Sequence, residues 1–256
     1  MNKRQKNSIA HATRSRILRG GGDRLWTYAD FPDVGRMALA AAFSRLVKAA
    51  ELTRVRRGIY YRPKATVFGP SRPDPEALVD AALRARGEDA VPSGIGAYRR
   101  LGLTTQISGA VTRATRRRVP RNFVSNTIPG LAVYASPRPL TAQPGIRPEE
   151  RTALDALRDI THIPDAPPAD VLRRLRMLLR SGRLNYARLA RFAAAEPPRV
   201  RALLGALGED LRASANHARV PGSAIRALRA SLNPLTRYAI PGARTVVATA
   251  AGWGIK

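Results

Sequence analysis

The stretch RVRRGIYYRP, Arg54–Pro63, decides the fold. It predicts a β-hairpin in which the segments TRV and GIYYR are extended and a tight basic turn joins them. Arg56 and Arg57 in this turn are expected to point into water. Because side chains alternate between the two faces of a strand, one of Tyr60 and Tyr61 is expected to pack inward and the other to lie outside. The sequence therefore predicts a basic hairpin on a small sheet.

The residues before this hairpin predict a helix with one apolar face. RMALAAAFSRLVKAA, Arg36–Ala50, contains many alanines and no helix breaker, and Leu39, Phe43 and Leu46 fall on one stripe. The turn FPDVG precedes this helix, with Asp33 placed to cap it. We expect the apolar stripe to be buried and the opposite face, which is basic, to be exposed.

The beginning of the chain completes the order of elements. Ile9, Thr13 and Ile17 recur every fourth residue and predict a helix that ends near Gly20–Gly22. RLWTYADF then predicts a short strand. Helix, strand, turn, helix and hairpin is the order of a winged helix-turn-helix, and we expect this fold over residues 1–64.

In a winged helix-turn-helix the helix before the hairpin lies in the major groove of DNA, and the hairpin, called the wing, contacts the phosphate backbone. Small side chains let such a helix approach the bases, while arginine and lysine neutralise phosphates. The candidate DNA-binding residues on the helix and hairpin are Arg36, Ala41, Ser44, Arg45, Lys48, Arg54, Arg56 and Arg57. Two alternatives stay open, because winged helices also dock proteins and a basic helix face can simply be solvated.

The charge of the chain indicates a polyanionic partner. Its 45 lysine and arginine residues exceed its 18 acidic residues by 27, which favours nucleic acid first and an anionic membrane surface second. Residues 1–64 hold 15 basic and 4 acidic side chains, a net charge of +11, in a quarter of the chain. An RNA- or ribosome-associated binding protein would share this charge. The aromatic content of 5% disfavours that alternative, because RNA-binding proteins usually expose aromatic side chains for stacking.

Enzyme, metal and membrane functions find little support in the sequence. The chain has no cysteine, no Walker-type loop, no GxSxG and no HExxH, and its histidines lack metal-ligand spacing: His11, His162 and His217. We therefore expect no enzymatic activity and no cofactor. The basic start lacks the apolar core of a signal peptide, and no apolar run is long enough to cross a bilayer. A cytoplasmic protein without a membrane partner is the expectation.

Two proline-rich segments divide the chain. Pro63–Pro75 and Ser136–Pro148 predict a domain over residues 65–256, with a mixed α/β part at 65–146 and a helical part at 147–256. Within the first part, Arg113–Arg121 is a candidate second basic hairpin, or else a solvated sheet edge. In the helical part, leucines interleaved with arginines favour helices that bury their apolar stripes against each other over a membrane-surface helix. The fold class is therefore α+β.

Several segments resemble a known family. Asp30–Phe31, Phe43–Leu46 and the hairpin Arg54–Tyr61 resemble the N-terminal winged helix of AbiEi-type antitoxins, which are transcriptional regulators of type IV toxin–antitoxin systems. Val91–Gln106 and the segment SLNPLTRYAIPG with the terminal GWGIK resemble later parts of the same family.

This resemblance implies a function for the whole chain. The protein would be a repressor of its own operon that binds double-stranded DNA at promoter repeats. Residues 65–256 would form a C-terminal antitoxin-like domain. The functional counterpart would be a nucleotidyltransferase-like toxin, which the antitoxin opposes without a stable direct complex.

Overall fold

The computed structural model shows a mixed α+β protein. Its described residues are 3–88, 90–120, 132–137, 145–214 and 219–256. The chain divides into two compact units, which are Met1–Ala90 with Val119–Val133 and Val91–Arg118 with Tyr134–Lys256.

The first unit combines two helices, a three-stranded sheet, a small hairpin and a third helix. Its elements in chain order are α1 (Lys3–Arg19), β1 (Arg24–Thr27), a 3-10 helix (Tyr28–Asp30), α2 (Arg36–Lys48), β2 (Thr53–Arg56), β3 (Ile59–Arg62), β4 (Ala65–Thr66), β5 (Gly69–Pro70) and α3 (Pro75–Arg84). The order of strands in the main sheet is β1-β3-β2, and both pairs are antiparallel. The predicted helices, first strand and hairpin are therefore present.

One face of this sheet packs against α1 and α2. The buried residues of this core are Ile17, Trp26, Phe31, Leu39, Phe43, Leu46, Leu52 and Tyr60. The ring centroids of Phe43 and Tyr60 are 4.4 Å apart, and those of Phe31 and Phe43 are 5.6 Å apart. The predicted burial of Leu39, Phe43 and Leu46 is confirmed, because all three are at most 6% exposed.

The other face of the sheet is covered by α3. Leu25, Ile59 and Tyr61 contact a stripe of α3 that includes Leu78 and Ala82. The expectation that one tyrosine of the hairpin lies outside is therefore wrong: Tyr60 and Tyr61 are both buried, on opposite faces. Because α3 packs against this sheet, the first compact unit continues past residue 64, where the sequence predicted a boundary.

The expected cap of α2 is also different. Gly35 is the residue before the helix, and no side chain caps it. Asp33 instead accepts a hydrogen bond from Arg16, with Nη1 and Oδ1 3.0 Å apart. Asp33 thus links the turn before α2 to α1 rather than satisfying the first backbone N–H groups of the helix.

The second unit is a small sheet followed by packed helices. Except for the first residue of β6 and the first two of β8, its elements are β6 (Ala90–Pro92), α4 (Gly94–Arg100), β7 (Ala110–Thr115), β8 (Ala132–Pro137), α5 (Pro148–Arg158), α6 (Pro168–Arg180), α7 (Tyr186–Ala193), α8 (Pro198–Ala213), α9 (Gly222–Ala230), α10 (Ala243–Val246) and a 3-10 helix (Ala248–Trp253). The strand order is β6-β7-β8. The helices share one apolar core that includes Leu172, Leu175 and Leu203.

The segment predicted as a second basic hairpin, Arg113–Arg121, is only partly exposed in its described residues. Arg113 lies in β7 and is 2% exposed, so it belongs to the interior of the second unit. Arg116–Arg118 are exposed after the strand ends. The last residue of this candidate, Arg121, lies outside the described residues.

Candidate nucleic-acid interface

The exposed face of α2 carries all five of the predicted helix residues. Arg36, Ala41, Ser44, Arg45 and Lys48 are exposed. Consecutive helical residues turn by about 100°, so these five positions fall within one half of the helix circumference, opposite the buried stripe. The helix therefore presents one surface on which three cations surround two small side chains.

The hairpin presents two of its three predicted arginines to solvent. Arg54 and Arg57 are exposed, whereas Arg56 is half-buried. The pairing register between β2 and β3 shifts between Arg54 and Arg56, which changes the direction of the backbone there. Arg56 therefore does not point into water as expected. Gly58, the second residue of the turn, has φ +77°, a conformation that disfavours residues with a Cβ.

Tyr28 joins the start of α2 to the hairpin. Its ring lies under the guanidinium of Arg36, with Cζ 5.6 Å from the ring centroid. Its Oη lies 3.2 Å from Oη of Tyr60, within hydrogen-bond distance. Burial, together with this hydrogen bond, raises the pKa of Tyr60 to about 12. A Cβ on Gly58 would lie 3.5 Å from the Tyr28 ring, so the turn packs directly on it.

The pair Asp30–Phe31 has a structural role beside this surface. Asp30 Oδ2 accepts hydrogen bonds from the backbone N–H of Thr27 at 2.7 Å and from its hydroxyl at 2.9 Å. Thr27 is fully buried, so this carboxylate satisfies a backbone donor that water does not reach. Phe31 is 1% exposed in the core. The two residues fix the turn that leads into α2.

An open cleft of about 600 Å³ lies between α2, the hairpin and the end of α3. Four arginines line it, which are Arg36, Arg54, Arg57 and Arg86. Met37 lies at the same cleft and is 85% exposed. Sequence reasoning missed Met37 and Arg86. Met37 follows Arg36 on the exposed side of α2 and could have been found, whereas Arg86 depends on where α3 packs.

Carboxylates of the first 64 residues are engaged elsewhere. Glu51 pairs with Arg14 at 2.9 Å, and Asp33 pairs with Arg16. Hydrogen bonds from Ser71 and Tyr61 lower the pKa of Asp23. Within the described part of the chain no acidic residue lines the cleft. The potential of α2 and the hairpin is therefore dominated by their cations, which is the condition for attracting a polyanion.

The described residues contain neither a cluster of metal-ligating side chains nor a membrane-spanning helix. Among them no group of three or more histidine, aspartate or glutamate side chains could hold a metal ion. His217 lies outside these residues. No helix within the described ranges combines the length and the apolar character needed to cross a bilayer.

Comparison with known proteins adds a family match without an assigned function. Residues 13–124 match a family of unknown function, DUF6088, over less than half of the chain. All eight candidate residues lie inside this match. No curated protein matches the chain. The fold is similar to the crystal structure of the RV2827C protein from Mycobacterium tuberculosis, with a TM-score of 0.39 and 17% identity over 90% of this chain and 83% of that one.

Proposed function

We propose that the first unit binds double-stranded DNA as a winged helix-turn-helix, with α2 in the major groove and the β2–β3 hairpin as the wing. The observation that carries this proposal is the exposed basic face of α2 beside a basic hairpin. The strand order β1-β3-β2 supports it, because this order puts the hairpin at one edge of the sheet with α2 packed across one face.

The chemistry of this surface suits a duplex. The major groove is about 12 Å wide and admits a helix whose side chains reach base edges. Ala41 and Ser44 keep the centre of the exposed face of α2 shallow, and Arg45 and Lys48 lie beside them at its C-terminal end. In this arrangement Ser44 and Arg45 contact base edges or the adjoining phosphates, while the hairpin arginines contact the backbone.

The test compares one substitution on two kinds of duplex. Selection from a random-sequence library with the full chain gives a preferred duplex, and Arg45→Ala is then measured on this duplex and on random DNA. A base contact is worth about 1–3 kcal/mol of discrimination, so the variant should lose about 5- to 150-fold more affinity on the preferred duplex. An equal loss on both would reduce Arg45 to a backbone contact. Arg72→Ala, an exposed arginine beyond β5, is the matched control.

A regulatory role follows from the resemblance to AbiEi-type antitoxins. In this proposal the chain represses its own operon and opposes a nucleotidyltransferase-like toxin without forming a stable complex with it. A reporter driven by the region upstream of its gene should be repressed by the parent chain and released by Arg45→Ala. If the chain also relieves the growth defect caused by a nucleotidyltransferase-like neighbour, the antitoxin role gains direct support. Without relief, only the DNA-binding role stands.

A further inference from the structure

We infer that the end of α3 is a third part of the DNA interface, in which Arg86 and the arginines of α2 and the hairpin hold the phosphates of one DNA strand in the cleft. This inference rests on the proposed DNA binding. It adds a contact from outside the winged helix-turn-helix, in the turn after a helix that lies beyond the proline-rich segment.

The position of Arg86 is fixed by the cap of α3, by the packing of α3 on the sheet and by the turn that follows it. Asp74 caps the start of α3 by accepting a hydrogen bond from the N–H of Ala77 at 2.8 Å. Ala81, in the middle of the helix, is 0% exposed against the sheet. After the helix, Gly87 adopts φ +74° and its N–H donates to the carbonyl of Arg84 at 2.9 Å. This turn closes the helix and presents Arg86 to the cleft.

The charge of the cleft defines its ligand as an anion. Among the described residues no ion pair joins a carboxylate to Arg36, Arg54 or Arg57. Cations gathered around one open space repel each other, and an anion that enters the space relieves this repulsion. Guanidinium groups bind phosphate oxygens through paired N–H donors, which favours a phosphate ligand over a halide.

The shape of the cleft favours a DNA strand over a small free phosphate. The cleft is open to solvent and runs from the first turn of α2 to the hairpin turn, the two elements that would enter neighbouring grooves. The sugar-phosphate backbone is the part of a duplex that separates its two grooves. A strand held there would touch the helix, the wing and α3 together, and Met37 would lie against its apolar sugar edge.

The test measures salt dependence and uses a control two residues away, in the last turn of α3. Affinity of the full chain for the preferred duplex is measured from about 50 to about 200 mM salt. Replacing one phosphate-contacting cation flattens the slope of log K against log salt by about 0.9, so Arg86→Ala should do this. Arg84→Ala should keep the parental slope, because Arg84 is exposed in the last turn of α3 but does not line the cleft. Arg86→Lys should restore most of the lost slope.

The outcomes of this test distinguish the inference from the proposed function. A flatter slope for Arg86→Ala alone supports the inference. Equal slopes for the Arg86 and Arg84 variants, with the parent binding DNA, overturn the inference and leave the proposed function intact. If the parent binds no duplex, the proposed function itself fails. If inorganic phosphate binds the parent and not Arg86→Ala, while the two DNA slopes stay equal, the cleft is a small-anion site and the inference is again overturned.

Discussion

The wing should contribute a measurable share of the salt dependence of DNA binding. Arg54 and Arg57 are exposed at the cleft, whereas Arg56 is half-buried, so two hairpin cations are available to phosphates. Each neutralised phosphate contributes about −0.9 to the slope of log K against log salt, and removing both arginines should flatten the slope by about 1.8. Over a fourfold rise in salt, the affinity of the parent should fall about 12-fold further than that of the double variant.

The assay is fluorescence anisotropy of a labelled duplex titrated with the full chain. The variant combines Arg54→Ala and Arg57→Ala, and a control of equal charge combines Arg19→Ala and Arg72→Ala. Both control positions are exposed, and their neighbours Leu18 and Ser71 contact the end of β3 away from the wing turn. Sequence preference should persist in the wing variant, because backbone contacts carry little sequence information. An unchanged slope in the wing variant, or an equal change in the control, would refute the assignment of the hairpin to phosphates. A parent with almost no slope would instead indicate a protein-docking winged helix.

Three further predictions concern the scaffold that holds this surface. Phe43→Ala should lower the free energy of unfolding by about 3–5 kcal/mol in denaturant titrations, since Phe43 is fully buried among aromatic rings; a loss below about 1 kcal/mol would contradict the packing. Asp30→Ala should lower the free energy of unfolding by about 1–3 kcal/mol, because the buried N–H of Thr27 loses its acceptor. An unchanged free energy of unfolding would show that another group replaces the carboxylate. The pKa of Tyr60 is raised to about 12, so the stability that its neutral phenol provides is complete below pH 10 and is lost as pH rises through 12. Tyr60→Phe should flatten this alkaline decline in stability, measured by thermal unfolding at increasing pH. An unchanged decline would contradict the prediction.

Local patterns were sufficient to predict the helices and the hairpin of the first unit. The spacing of Leu39, Phe43 and Leu46 sets the buried side of α2, and this leaves the opposite face exposed whatever the rest of the chain does. Gly58 between two extended segments indicates the turn. Five candidate residues on α2 were located in this way, because their exposure follows from the position of a single apolar stripe.

Features that depend on distant packing were not accessible to the same reasoning. The burial of Tyr61 and the position of Arg86 both require that α3 cover the outer face of the sheet, and periodicity shows only that α3 has an apolar stripe, not what it covers. Arg56 is half-buried beside a register shift in the hairpin, which no residue type in the sequence marks. Asp33 could either cap the start of α2 or pair with a nearby cation, and the sequence does not show which. In the structure it pairs with Arg16.

The proposed function depends most directly on contact between α2 and the bases of a DNA duplex. The chain contains no cysteine, so a single introduced thiol is unique. Ser44→Cys places this thiol at the centre of the exposed face of α2, and Val67→Cys places it on the β4–β5 hairpin, 93% exposed at the opposite end of the sheet from the wing turn.

Both variants are incubated with the preferred duplex carrying a disulfide-activated tether on one major-groove base edge. Cross-linked protein is then quantified on a non-reducing gel at equal DNA occupancy. We expect rapid cross-linking of Ser44→Cys at one or two base positions and none of Val67→Cys above an unmodified chain. Binding without a cross-link at Ser44→Cys, or an equal yield from both variants, would contradict the placement of α2 in the major groove.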